Sequence, residues 1–135
     1  MNDLFPEKSL WPSDPAARGL ARAVSAEMHS SFFNLREVWP MQVLREGLQH
    51  VTSGGVAQDL ARIDALWAQC RDQFGSDGDF LFGQFSIADA MYAPVVSRII
   101  TYGPVKMSDQ ATSYIQTIRS QPVMEKWIAG ARQQA

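Results

Sequence analysis

Few side chains in this sequence have the type and spacing that chemistry requires. The two histidines, His29 and His50, lie in different segments, and Cys70 is the one cysteine. Cys70 falls in the apolar stripe of a predicted helix, with no basic neighbour along that helix to lower its pKa, so we interpret it as a core residue. No phosphate-binding glycine loop, nucleophile elbow or metal-spaced cluster of Cys and His occurs. The sequence therefore predicts no catalytic group and no metal site.

A partly basic face of the first predicted helix is the next candidate. It lies about a third of a turn from the apolar stripe of that helix. Its side chains are Arg18, Arg22, Ser25, His29, Phe33 and Arg36. Faces of this kind are most often simply solvated. A subunit contact and the wall of a site for an anionic ligand remain open as alternatives.

Ser86 and Asp89 are spaced to begin a helix rather than to react. A serine at the N-cap accepts from the backbone N–H three residues on, and an acid there returns a bond to the serine N–H. This capping box precedes a run that is apolar nearly all round, which predicts a helix at the centre of a bundle. An aspartate at the buried end of such a helix needs partners, and the capping bonds supply them. Both residues are predicted to be structural.

Composition excludes several classes of function. With 135 residues, 46% hydrophobic and 19% charged, the chain has the balance of an ordinary soluble domain. A net charge of −2 argues against a nucleic-acid footprint. No apolar run approaches the length of a membrane span, and no signal segment opens the chain. We expect neither a nucleic-acid nor a membrane partner, and a cytoplasmic location.

The elements that must position these residues are helices. Five are predicted, beginning at or next to Asp14, Val56, Ser86, Ser108 and Pro122. The first runs to Pro40 and carries a core stripe of Leu20, Val24, Met28, Phe32, Leu35 and Trp39. Residues 41–55 are ambiguous, because a short helix there is broken by two glycines. No strand is convincing. The predicted fold class is an all-α five-helix bundle built around the capped helix.

Two domain segments are predicted. Residues 1–13 contain two prolines and are interpreted as a linker, and 14–135 as the helical domain. The apolar side chains of this linker are too numerous for a free tail, and they are expected to lie on the bundle or on a neighbouring domain: Leu4, Phe5, Leu10 and Trp11.

Four motifs occur in an order that resembles one known family, the C-terminal domain of bacterial cytosolic glutathione transferases. They are the capped run at residues 85–90, the Phe-Leu-Phe-Gly lead-in at 80–83, the opening at 10–18 followed by Glu-Met-His-Ser at 27–30, and the tail at 120–127. The resemblance extends from about Leu10 to Arg132.

This resemblance implies a division of labour. In the family a thioredoxin-like domain precedes the helical one, binds glutathione as co-substrate, and supplies the Ser, Tyr or Cys that activates its thiol. The helical domain receives a hydrophobic electrophilic substrate and forms much of the dimer interface. Met28, His29, Phe32 and Arg36 then fall on the turns that face the substrate cleft, although plain core packing is an equal interpretation for Met28 and Phe32. No cofactor is expected in this chain itself.

Three functions remain open from the sequence. The chain is the electrophile-site half of a glutathione transferase, a free-standing helical module for protein–protein interaction with the same fold, or an unrelated helical ligand-binding or regulatory domain. On the first, the chain alone is predicted to be inactive. Its expected partner is a second copy or the missing thioredoxin-like domain.

Overall fold

A computed structural model describes residues 10–42, 44, 47, 54–103 and 105–134 of the chain. Those residues form six α-helices and no strand. The helices are α1 (Pro15–Ser30), α2 (Phe33–Val38), α3 (Gly54–Phe74), α4 (Ile87–Tyr102), α5 (Asp109–Arg119) and α6 (Pro122–Gln134). None of the helices in these ranges is long and apolar enough to cross a membrane. The all-α prediction is confirmed.

The predicted count of five helices is wrong for a local reason. The chain between Asp14 and Pro40 forms two helices, because Phe32 adopts a left-handed backbone with φ 63°. That conformation is costly for a bulky residue. Two features favour it here: the Phe32 side chain is buried, and Asp59 of α3 accepts from the Leu35 N–H at 3.0 Å in the first turn of α2.

Side-chain caps fix two other helix starts where the sequence predicted them. Asp14 accepts from the Ala17 N–H at 2.9 Å, and Ser108 accepts from the Ala111 N–H at 3.1 Å. Ser108 is itself held by Asp64 of α3, whose carboxylate accepts from its N–H and its hydroxyl at 2.8 and 2.6 Å. The start of α5 is thereby tied to α3.

Helix α4 lies at the centre of the bundle, as predicted. It packs against α1 and α5, and Tyr92, Val95 and Val96 on it have no exposed surface. The Tyr92 hydroxyl donates to the Val24 carbonyl of α1 at 2.8 Å. Trp67 of α3 meets both Tyr92 and Tyr114 edge to face. By contrast, α6 packs on α5 alone among the described elements and contributes only Met124 to the core.

The connection from α3 to α4 is organised by one guanidinium group. Nη1 of Arg71, in the last turn of α3, donates to the carbonyl oxygens of Gly75, Gly78 and Phe80 at 2.7, 2.6 and 2.6 Å. The predicted apolar lead-in at 80–83 forms isolated bridges rather than a strand. This loop delivers the backbone of Leu81 to the start of α4.

Parts of the sequence predictions lie outside the described residues. These are the linker up to residue 9, His50, and most of the ambiguous segment at 41–55. Leu10 and Trp11 are described, and both are half-buried against the bundle. The Leu10 carbonyl accepts from the Ile87 N–H at 2.9 Å, so the end of the linker meets the first residue of α4.

Candidate functional site

Asp89 is a fully buried carboxylate with a defined set of partners. It has no exposed surface, and its carboxylate accepts from the Ser86 N–H at 2.9 Å, the Leu81 N–H at 3.1 Å and the Tyr114 hydroxyl at 2.8 Å. The three donors belong to the helix cap, the preceding loop and α5. One side chain therefore joins three segments of the fold.

The side chains of the two predicted capping-box residues make hydrogen bonds of unequal length. Asp89 makes the close bond to the Ser86 backbone. The Ser86 hydroxyl lies 3.5 Å from the Asp89 carboxylate, and the Asp89 N–H donates to the Ser86 carbonyl at 3.1 Å. Of the two side chains, that of Asp89 therefore makes the stronger hydrogen bond.

The pKa shifts of three buried ionisable groups share burial as their main cause. Burial raises the pKa of Asp89, and its hydrogen bonds partly offset that rise. Burial, followed by the charge of Asp89, raises the pKa of Tyr114. Burial also raises the pKa of the Cys70 thiol to about 12, so this sulfur stays protonated and inert at neutral pH, as the sequence predicted.

The four predicted substrate residues cluster around the junction of α1 and α2. Met28 and Phe32 are buried in the core, His29 is exposed at the end of α1, and Arg36 is half-buried on α2. Arg36 Nη2 donates to the carbonyl oxygens of Ser31 and His29 at 2.5 and 3.3 Å, which closes the C-terminal end of α1. Contact of these residues with a substrate stays a prediction.

Arg98 is a basic residue beside the C-terminal end of α2 that sequence reasoning missed. It lies on α4, and its Nε donates to the Trp39 carbonyl at 2.9 Å, directly after α2. Burial, followed by repulsion from Arg36, lowers the pKa of Arg98. The available signal was the single cation of a predominantly apolar helix.

Hydrogen bonds hold the chain after α2 against the last turns of α4. The Tyr102 hydroxyl donates to the Pro40 carbonyl at 2.6 Å and accepts from Gln42 at 2.9 Å, while the Thr101 hydroxyl donates to the Gln42 carbonyl at 3.0 Å. Trp39, fully buried, stacks on Tyr102 with ring centroids 5.3 Å apart. These contacts fix the position of Arg98 relative to α2.

A groove between α4 and α6, here the α4–α6 groove, is a second candidate. It has a volume of about 500 Å³ and is lined almost entirely by apolar side chains, chiefly Phe85, Ala90, Ala93, Pro94, Val123 and Trp127. Phe85, Val123 and Trp127 are 45%, 61% and 40% exposed, which is unusual for large apolar residues on one continuous surface.

Comparison with known families identifies this architecture. The model of the glutathione S-transferase C-terminal domain matches residues 53–130, more than half of the 135-residue chain. The matched segment runs from the start of α3 into α6 and contains Ser86, Asp89 and Arg98, whereas α1 and α2 precede it. No curated protein matches the sequence. The chain belongs to the family of glutathione S-transferase C-terminal domains.

Proposed function

We propose that this chain is the electrophile-site and dimerisation domain of a glutathione-transferase-like protein. In that role it works with a thioredoxin-like domain that binds glutathione and activates its thiol. The intact protein conjugates or isomerises a hydrophobic electrophile.

The observation that carries this proposal is the α4–α6 groove. Three large apolar side chains on it are exposed, and α6 has one buried residue of its own. Contiguous apolar surface of this kind marks an interaction site. Because the chain belongs to a family whose helical domain is paired with a thioredoxin-like one, we assign that domain as the occupant.

The chemistry divides between the two domains. The thiol of this chain, on Cys70, is buried and protonated, so the attacking sulfur is that of glutathione. Its activation belongs to the thioredoxin-like domain. The helical domain contributes the surface against which the electrophile lies. We place that surface at the junction of α1 and α2, with Met28 and Phe32 as its packed floor and His29 and Arg36 at its rim.

A binding experiment tests the occupant of the groove. The chain is mixed with the thioredoxin-like domain of a bacterial glutathione transferase, and complex formation is followed by sedimentation. Trp127→Glu places a charge in the groove and is expected to abolish the complex. Phe33→Glu is the matched control, because Phe33 is 70% exposed and lies outside the groove. Equal complex formation by both variants would contradict the assignment.

Activity provides the second test. The chain alone is expected not to conjugate glutathione to a chlorinated nitrobenzene, and the mixture is expected to exceed the turnover of the thioredoxin-like domain alone. Turnover by the purified chain, shown free of host transferase, would refute the proposed division of labour, as would a mixture no faster than its separate parts.

Self-association follows from the same surface. Without the second domain, the exposed groove is expected to draw two copies of the chain together, so light scattering should report a dimer or larger species. Trp127→Glu should give a monomer. A monomeric wild type at high concentration would remove this part of the proposal.

A further inference from the structure

A further cavity, here the α1–α3 cavity, lies where the chain before α1 meets the end of α3 and the loop that leads to α4. Its volume is about 500 Å³. Of the described residues, Phe85 alone lines both this cavity and the α4–α6 groove. The two differ in chemistry, because the groove is almost entirely apolar and the α1–α3 cavity has charged and polar side chains beside aromatic ones.

Two carboxylates line the α1–α3 cavity with acceptor sites to spare. Asp14 uses one oxygen, Oδ2, to accept from the Ala17 N–H at 2.9 Å and so caps α1. Its other oxygen, and the carboxylate of Asp77, accept no hydrogen bond from the described residues. An ionised carboxyl group has about four acceptor positions. Both side chains can therefore take donors from a ligand in the cavity.

Two donor groups in the same wall are already engaged. The Arg18 guanidinium donates to the carbonyl oxygens of Pro12 and Ser13 at 3.1 and 2.8 Å. The Gln84 amide donates to the carbonyl oxygen of Asp77 at 3.2 Å. These bonds tie the wall to its own backbone, so open acceptors are offered to a ligand more readily than open donors.

The charge of the lining has the same preference. Among the described residues that line the cavity, Asp14 and Asp77 are acidic and Arg18 is basic. An anionic ligand would be repelled by two carboxylates and would meet a guanidinium that is bonded to backbone carbonyls. A cationic ligand would be attracted by both acids. The wall is therefore complementary to a small cation.

Aromatic rings form the apolar part of the wall. Phe74 and Phe82 both line the cavity, and their rings stack with centroids 6.1 Å apart. Such rings offer a flat apolar surface to the body of a ligand, and the face of a ring attracts a cation that comes within about 6 Å. The cavity has the size of ordinary small-molecule sites.

We propose that the α1–α3 cavity binds a small primary amine with an aromatic body, in its protonated form. An ammonium group has three donors and no acceptor, which matches the open oxygens of Asp14 and Asp77. The aromatic body lies against Phe74 and Phe82. The site goes beyond the proposed function, since it requires neither glutathione nor a second domain, and neither acid lines the α4–α6 groove.

Calorimetric titration of the whole chain with phenethylamine at neutral pH tests the site. Phenethyl alcohol is the neutral ligand of nearly the same shape, and hydrocinnamate is the anionic one. The amine is expected to bind saturably at one site, and the alcohol and the anion are expected not to saturate in the same range of concentration. Equal binding of the amine and the alcohol would show apolar partition alone and overturn the inference.

Two variants test the acids without a change of shape. Asp14→Asn keeps the cap of α1, because asparagine is as good an N-cap as aspartate. Asp14→Asn and Asp77→Asn should each weaken amine binding about threefold, and the double variant about tenfold, within the range of ion pairs open to solvent. Asp79→Asn removes the same charge from an exposed loop position outside the cavity and should change nothing. Equal weakening by Asp79→Asn would contradict the site.

A measurement on the wild type covers the case in which a variant fails to fold. Trp11 lines the α1–α3 cavity and Trp127 lines the α4–α6 groove. The indole N–H signal of Trp11 should shift and saturate as the amine is added, while that of Trp127 stays fixed. A shift of Trp127 instead of Trp11 would overturn the inference. Saturable amine binding by a chain that fails to bind a thioredoxin-like domain would keep this site and remove the proposed function.

Discussion

Helix α4 carries two charged residues, Asp89 and Arg98, which differ in the number of their hydrogen-bond partners. Asp89, in its first turn, receives hydrogen bonds from Ser86, Leu81 and Tyr114 and has no exposed surface. Arg98, about two and a half turns later, has one backbone acceptor among the described residues, and burial followed by repulsion from Arg36 lowers its pKa. A buried charge whose bonds are met by its own chain contributes to the fold. The described residues offer the Arg98 guanidinium a single hydrogen bond, so the fold satisfies this charge less completely.

The largest effect is expected at Asp89. Asp89→Ala leaves two backbone N–H groups and the Tyr114 hydroxyl without an acceptor, and unpaired buried donors cost about 1–3 kcal/mol each. We expect a loss of about 3 kcal/mol or more in the free energy of unfolding, measured in urea. Asp79→Ala, at an exposed loop position, is the control and should cost no more than about 0.5 kcal/mol. A loss below about 1 kcal/mol at Asp89 would contradict the contrast with Arg98.

Because the pKa of Asp89 is raised in the folded state, its contribution to the free energy of unfolding should decrease as the pH rises. Below the unfolded pKa, near 4, the contribution of Asp89 is fully present, and it is lost as the pH rises through the raised folded pKa. The loss amounts to about 1.4 kcal/mol per pH unit between the two pKa values. Urea unfolding of the wild type and Asp89→Asn at several pH values gives the difference. If the stability of the wild type relative to Asp89→Asn instead increased with pH, the folded pKa of Asp89 would lie below the unfolded one. The hydrogen bonds would then outweigh burial.

Ser86→Ala should cost much less than Asp89→Ala. An N-cap serine is worth about 0.5–2 kcal/mol, and the sequence alone predicts the upper end because the helix is central. The 3.5 Å contact of the Ser86 hydroxyl, with its backbone N–H bond to Asp89 intact, moves the expectation to about 0.5 kcal/mol. The double variant should cost less than the sum of the two. Equal costs for Ser86→Ala and Asp89→Ala would indicate that both side chains of the capping box contribute equally to stability.

The smallest effect is expected at Arg98. Arg98→Met removes one hydrogen bond to Trp39, and it also removes the desolvation of a cation and its repulsion by Arg36. These contributions oppose each other, so the change in unfolding free energy should stay within about 0.5 kcal/mol. Arg71→Met, which loses three carbonyl partners, is the matched control and should be clearly destabilising. A similar loss at both arginines would show that Arg98 is a structural residue.

The sequence predicted what depends on neighbours along the chain and missed what depends on tertiary partners. The starts at Asp14 and Ser108 follow from local capping chemistry and are confirmed. The break at Phe32 was missed, because no glycine or proline marks it and the cap of α2 comes from Asp59, on another helix.

The candidate site divides in the same way. The importance of Asp89 could be read from its spacing to Ser86, but its bonds to Leu81 and Tyr114 could not, since the partners come from a loop and another helix. Arg36 was named as a site residue from its place on the first predicted helix and from the resemblance to the family. Arg98 was not, because only the folded bundle brings α4 alongside the residue that follows α2.

The guanidinium of Arg71 has a consequence for proteolysis. A connection of 12 residues separates α3 from α4, and loops of that length are ordinarily the first to be cleaved. Here three of its carbonyl oxygens are drawn to one cation at the end of α3. A protease binds its substrate as an extended strand. This loop can extend only after its hydrogen bonds to Arg71 break. Limited digestion should therefore spare this loop until the bundle opens as a whole.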